Sequence, residues 1–312
     1  METGLQTVTT GGAVIAADSS LVESFIRSQD VKESSRRLYG RTLRLFLQWV
    51  KGAGLPMAVI TRAEILSYKD GLLAAGKSPL TVGVYLTVVR KFYEWAESIK
   101  AYPNVAKGIK NPKQKRQFQK QALTEDKGRA LLDYFRGRGL RDYALINLLI
   151  RCGLRTIEAS RALVGDLDVK GGRRVLWVHG KGRDSKDAFV VLTDKAYEPI
   201  RAYLEARGAV KADEPLFLSG CNRNQAGRLS TRAISRICKD GLKAIGLNEK
   251  AFTAHSLRHT TAVNILRAGG NLNDAQGVLR HSNPATTQIY TASINEEIRL
   301  RNPAEALIDA IL

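Results

Sequence analysis

KGIKNPKQKRQFQKQ, residues 107–121, divides this chain. It carries six basic residues (Lys107, Lys110, Lys113, Lys115, Arg116 and Lys120) and no acidic one. That composition marks an exposed linker rather than an element with an apolar face. The 312 residues leave room for a folded domain on either side, at the usual size of about 100–200 residues each. The charge run has two readings. It is a solvated connector, or it lies along a phosphate backbone with Lys113, Lys115 and Arg116 as contacts.

Before the linker the pattern is helical throughout. Residues 1–18, rich in Thr, Gly, Ala and Ser, read as a flexible tail, and periodicity starts near Ser20. Ser34 or Ser35 is expected to cap a helix whose apolar positions are Tyr39, Leu43, Phe46, Leu47 and Val50. Its other side carries Arg37, Arg41 and Arg44, a basic stripe that is either solvated surface or, with no acid among the three arginines, a contact for DNA phosphates. Thr61 caps a further helix, and Ser78-Pro79 opens the next through N-cap serine and N1 proline. That last helix joins a core face (Val82, Leu86, Val89, Phe92) to Lys77, Thr81, Arg90 and Lys91, which are also candidate DNA contacts. Residues 19–106 are thus expected to form a helical domain.

After the linker, residues 122–312 read as a mixed domain. Thr124 caps a helix and Arg141–Cys152 forms an apolar, buried one. Residues 174–179 (RVLWVH) and 189–193 (FVVLT) are strands joined by the charged hairpin GKGRDSKD. Helices return at about 194–207, 230–245, 255–268 and 272–279, and a final one is expected over about 302–312. Its stripe of Ala304, Leu307, Ile308, Ile311 and Leu312 must dock on something, either its own domain or a neighbouring protomer.

Bulk composition narrows the partner. Lys+Arg number 49 against 30 Asp+Glu, a formal charge of +19. Such an excess favours a polyanion, nucleic acid or an anionic membrane surface, over a charge that serves only solubility. No apolar run approaches a membrane span, and no signal peptide is visible. Three scattered cysteines (Cys152, Cys221, Cys238) without CxxC pairing argue against a disulfide framework or zinc finger and fit a reducing cytoplasm.

The chemistry gathers near the end. His255, Arg258 and His259 share a helix face at i, i+3 and i+4, with His281 further on. Two histidines at that spacing, with a third beyond, could hold zinc. However, Ser256 follows His255 where a zinc protease has glutamate, and cationic Arg258 lies between the ligands. An anion suits the set better. Arg155 and Arg258 offer planar forks of donors to one phosphodiester, the hairpin adds Lys181, and Tyr290 is a possible nucleophile. A phenol with a pKa near 10 is only about one part in a thousand ionised at neutral pH. Nearby cations would remedy that weakness.

These segments resemble the tyrosine recombinase (phage integrase) family. GLRTIEA (153–159) resembles its first arginine box and HGKGRDSKDAFVVL (179–192) its catalytic-lysine hairpin. HSLRHTTA (255–262) resembles the second arginine box, and LRHSNPATTQIYT (279–291) the nucleophile box. SPLTVGVYLTVVRKFYEW (78–95) resembles the core-binding domain, so the likeness runs from about residue 19 to the end.

The resemblance implies a mainly α protein: an all-helical, SAM-like core-binding domain and a mixed α/β catalytic domain with a small antiparallel sheet, closing around DNA. Its members are site-specific recombinases that cut and rejoin DNA through a 3′-phosphotyrosine, with no metal, ATP or other cofactor. Arg155 and Arg258 would grip the scissile phosphate, Lys181 would protonate the leaving 5′ oxygen, and Tyr290 would attack phosphorus. His255 would assist proton transfer and His281 would bond a phosphate oxygen. Glu158 would orient the site, or be only a surface acid, and His259 would pack behind it. Lys186 is a rival to Lys181 in the same loop, and His179 a polar strand end.

The likeness is to simple, Xer-like or Cre-like members without an arm-binding domain. These act on inverted-repeat sites as a tetramer linked by the final helix. Integration, dimer resolution and inversion all stay open as tasks. Two rivals accompany this reading, a type IB topoisomerase and a degenerate, binding-only integrase. One departure stands out. The family usually has glycine before the nucleophile-box histidine, and here the residue is Arg280. It either strains the backbone and displaces His281 or supplies another phosphate contact.

Overall fold

The computed structural model describes residues 11–113, 121–179, 186–220 and 227–281, with Asn283, Pro303 and Asp309. Lys115, Arg116, Lys181, Tyr290 and most of the expected final helix lie outside the described residues. The chain forms two compact units, Met1–Arg116 and Gln117–Leu312.

The first unit is helical: α1 (Gly11–Ser28), α2 (Glu33–Gly52), a 3-10 turn (Met57–Val59), α3 (Arg62–Ala74) and α4 (Pro79–Ser98). Two starts differ from expectation. Helix α1 takes in part of the supposed tail, where Ala13, Ala16 and Ala17 are strong helix formers. Helix α2 is capped at Lys32 rather than at a serine, and places Glu33 in the first turn, where the helix dipole favours an acid. The other caps follow simple chemistry. Thr61 and Glu64 form a reciprocal capping box, and the Ser78 hydroxyl accepts from the Thr81 N–H with Pro79 at the first position.

The core of this unit is aromatic. Phe25 meets Phe92 edge-on at 5.7 Å, and Phe46 meets Tyr68 at 5.1 Å. Ala106 and Ile109 are buried in the same cluster. The first part of the presumed linker is therefore packed, because Ile109 gains more from that core than from water.

The second unit contains α5 (Glu125–Arg136), α6 (Leu140–Cys152), α7 (Thr156–Arg161), β1 (Leu167–Lys170), β2 (Arg173–Val178), β3 (Ala188–Val191), α8 (Asp194–Arg207), α9 (Thr231–Ala244), α10 (Ala254–Arg267) and α11 (Leu272–Leu279). The strands form one antiparallel sheet in the order β1-β2-β3, with Leu167 opposite Leu176 and Val175 opposite Val191. Helix α6 is buried from Ala144 to Ile150 and packs against α5, α8 and α10. Helix α10 is buried on nearly every side, from Ser256 through Val263. A helix so enclosed must find partners for its polar groups. The Thr260 hydroxyl accepts from the Leu123 N–H at 2.8 Å, and the Thr261 hydroxyl donates to the Ile150 carbonyl at 2.8 Å. Those bonds fix α10 against the segment before α5 and against the end of α6.

Candidate active site

Arg258 projects from the buried helix α10 and is only 1% exposed. An arginine in that position is tolerable only if its charge and donors are matched. One terminal nitrogen donates to the Gly153 carbonyl and the other to the Leu279 carbonyl. Both acceptors lie at helix C-termini, where carbonyls lack helical partners and the dipole favours a cation. Gly153 caps α6 in the left-handed region, at φ 59°. A Cβ there would stand 2.6 Å from Leu279 Cδ2, so glycine is needed for both conformation and space. Arg258 thereby joins the end of α6 to the end of α11.

Arg155 is the N-cap of the short helix α7. The Glu158 carboxylate reaches back to it twice, accepting from the Arg155 N–H at 2.8 Å and from its guanidinium at 2.8 Å. The glutamate is 1% exposed while the arginine side chain is 32% exposed, so the charge is held from behind and offered forward. Burial pushes the Glu158 carboxyl up. Arg280, the Arg155 N–H, Arg155 and Arg258 outweigh that and hold it below the usual carboxylate range.

Arg280 occupies the residue after α11 at φ 54°, ψ 47°. A non-glycine residue there sacrifices roughly 1 kcal/mol. His281 takes part in closing the helix end. Its N–H donates to the Gln276 carbonyl at 3.2 Å, and the Gln276 side chain donates to the His281 carbonyl at 3.1 Å. This is a Schellman-type closure with an arginine in the position glycine usually fills. The Arg280 guanidinium folds back onto Val278 O and onto Glu158, 2.8 Å away. The positive φ expected at Arg280 is present, and its guanidinium is engaged by Glu158.

His281 feels the charge of several cationic groups. Burial pushes its pKa down to about 4, helped by the charges of Arg258, Arg155, His255 and Arg280. His259, 1% exposed, is also pushed down to about 4, by burial and then by His255. His255, on the same helix, is exposed. Both buried histidines are therefore neutral at pH 7.

The rival lysine of the hairpin has a different engagement. Lys186 pairs with Asp166, a carboxylate 3% exposed that also accepts from the Leu163 N–H at 2.9 Å. Lys186 thus ties the root of β3 to the turn before β1. His179 directly follows β2. Among the described residues, no group of three or more His, Cys, Asp or Glu side chains is placed to hold a metal ion.

In the first unit Arg37, Arg41 and Arg44 line the exposed side of α2, with Arg37 paired to Glu33 at 3.0 Å. The acid partner, on the preceding turn, makes this stripe less uniformly basic than the sequence suggests. Lys77 and Lys113 are exposed, and Lys91 is half-buried. Thr81 sits in the cap of α4, its hydroxyl 2.9 Å from that of Ser78. Arg90 differs most from its expected role. Its guanidinium bonds Ile109 O, the Thr87 hydroxyl and the Asn111 side chain, so it clamps the following chain onto α4.

Comparison with known proteins decides the family. Residues 121–297 match the Phage integrase family, and residues 22–100 match its N-terminal SAM-like domain. This chain belongs to the phage integrase family. It is 30% identical over 300 residues to tyrosine recombinase XerD of Xanthomonas axonopodis pv. citri, covering 91% of this chain and 96% of that one. It is 34% identical over 240 residues to tyrosine recombinase XerC of Salmonella typhi, covering 75% and 74%.

Solved structures share the fold. XerH bound to palindromic difH substrate, a post-cleavage complex, gives a TM-score of 0.72 at 19% identity, covering 93% of this chain and 85% of that one. A lambda integrase(75-356) dimer bound to a COC′ core site gives 0.68 at 18% identity, covering 86% and 96%.

The protein is thus a tyrosine-type site-specific recombinase, an enzyme that cleaves and rejoins DNA strands. No described helix of the recombinase is long and apolar enough to cross a membrane. Sequence reasoning missed its Asp166, the carbonyls of Gly153 and Leu279, and the pairing of Arg280 with Glu158. Only Gly153 left a signal, as glycine just after an apolar helix.

Proposed function

We propose that Arg155 and Arg258 bind the scissile phosphodiester and that Tyr290 attacks it. The phenol oxygen forms a bond to phosphorus and the bond to the 5′ oxygen breaks, leaving a 3′-phosphotyrosyl link. Lys181 gives its proton to the departing 5′ oxygen, since an alkoxide is a poor leaving group. His255 assists removal of the phenol proton, and His281 bonds a non-bridging oxygen. Reversal with a 5′ hydroxyl from another strand reseals the DNA, and one phosphodiester is exchanged for another. What supports this reading is the pair of bonds from Arg258 to Gly153 O and Leu279 O, which tie the helix of His255 to the segments that carry Arg155 and His281. Arginine donors aimed at developing charge typically contribute about 10²–10³ in rate.

On this reading the DNA lies against the exposed Arg41 and Arg44 face of the first domain, with Arg37, Lys77, Lys91, Lys113, Lys115 and Arg116 as further phosphate contacts. Two such domains closing on a duplex suit short inverted-repeat sites. The final segment, residues 302–312, docks on a neighbouring protomer and links four subunits. The enzyme works in the cytoplasm, where its cysteines stay reduced.

The test is Tyr290→Phe, which removes only the attacking oxygen. The probe is a nicked suicide duplex carrying the site that wild-type protein selects from random-sequence DNA. Wild type gives a denaturation-resistant protein–DNA band, and the variant binds the duplex without forming it. A Tyr290→Phe protein that still forms the band overturns the assignment.

A further inference from the structure

We infer that Arg280 is a positioning residue for DNA cleavage, gripping Glu158 so that one buried carboxylate fixes both the Arg155 guanidinium and the backbone that delivers His281. The inference rests on the roles proposed above for Arg155 and His281.

The first observation is where Arg280 stands. It adopts φ 54° immediately after α11, a conformation natural to glycine and costly for arginine. Nothing in the helix closure requires a side chain there, because the bonds from Arg280 N to Gly277 O and from His281 N to Gln276 O use backbone alone. In return for that strain, capping alone would give the arginine only its bond to Val278 O.

The second observation is where its side chain goes. It is 10% exposed and its terminal nitrogens reach Val278 O and Glu158 Oε2. Glu158 is separated from it by 122 positions in sequence and also holds Arg155. The carboxylate is thus shared between two guanidiniums. If glycine stood at this position, Glu158 would spend its whole charge on Arg155 and weaken its pull on a phosphate. With Arg280 present, the pair Arg155 and Arg280 keeps one net positive charge over Glu158. The shared carboxylate also ties the first arginine box to the segment entering the nucleophile box. Misplacement of such groups by about 1 Å can cost ~10²-fold in rate.

Single-turnover formation of the covalent complex tests this, on the selected nicked duplex at saturating protein, with melting curves and duplex affinity measured for each variant. Arg280→Gly removes the backbone strain together with the side chain, and Arg280→Lys keeps a charge that can reach Glu158. We expect Arg280→Gly and Arg280→Ala to bind the duplex normally and to cleave roughly 10- to 100-fold more slowly, with partial recovery in Arg280→Lys. Glu158→Gln combined with Arg280→Ala should be no slower than the slower single variant, because both act through one contact. Arg280→Gly cleaving at the wild-type rate would overturn the inference, and so would independent, multiplying effects in the double variant. Arg155→Ala serves as a control. Wild-type cleavage by that protein would remove the site assignment itself, and with it this inference.

Discussion

Arg258 donates a hydrogen bond to the carbonyl of Gly153, across 105 positions of sequence, and so anchors the segment that leads into Arg155. The guanidinium that would face the phosphate is therefore also a structural tie. A substitution at Gly153 should test the tie without touching any charge. Gly153→Ala introduces a Cβ 2.6 Å from Leu279 Cδ2 at a backbone φ of 59°. The expected loss of stability is about 1–3 kcal/mol, and cleavage should fall with it as Arg155 shifts. Urea denaturation of the two proteins measures the first effect. An unchanged midpoint would mean that the α6 and α11 ends are not held as described.

The two buried histidines give a pH dependence of defined sign. His259 and His281 have pKa values pushed down to about 4, below the unfolded value of about 6.5. Between those values the unfolded chain takes up protons that the folded chain refuses. Stability therefore falls as pH drops from about 6.5 toward 4, by up to roughly 1.4 kcal/mol per pH unit for each histidine. Denaturation of the DNA-free protein across that window should show the slope, and His259→Gln should flatten it by about one proton. A slope unaffected by His259→Gln would place that histidine's titration outside folding.

Salt dependence checks the proposed DNA face. Log affinity against log salt should fall by about 0.9 per neutralised phosphate. Arg41→Ala and Arg44→Ala should each make the slope shallower by about one unit. Arg37→Ala should do less, because Glu33 already pairs with that side chain. Arg90→Ala should leave the slope unchanged and lower the melting temperature instead, since its donors hold Ile109 and Asn111. Equal slopes for all four variants would reduce the stripe to solvated surface.

The lysines separate by the leaving group. Lys181→Ala should block cleavage of an ordinary duplex and recover on a 5′-bridging phosphorothiolate, whose thiolate leaves without a proton. Lys186→Ala should show no such rescue, because Lys186 is engaged by Asp166 at the root of β3. Rescue of Lys186→Ala alone would exchange the two roles.

Much of this architecture is written locally, and that part was legible. Ser78-Pro79 announces α4 and Thr124 announces α5, because a cap is a contact between neighbours in sequence. The order of the arginine, lysine and tyrosine boxes named the family for the same reason. Helix α7 and strand β1 escaped notice, being six and four residues long, too short to display a period. The bond of Thr261 to Ile150 and the sharing of Glu158 between Arg155 and Arg280 depend on tertiary packing that joins distant segments. Nor could spacing show that Arg90 bonds the chain at Ile109 and Asn111. A basic residue on a helix looks the same in sequence whether it meets phosphate or its own backbone.

The identity of the residue joined to DNA tests the account most directly. Wild-type protein trapped on the nicked suicide duplex is digested with protease and nuclease, and the nucleotide-bearing peptide is sequenced by mass spectrometry. The account predicts a single adduct, on Tyr290, linked through the 3′ phosphate with a free 5′ hydroxyl on the released strand. An adduct on any other residue, or one carrying a 5′ phosphate, would contradict it.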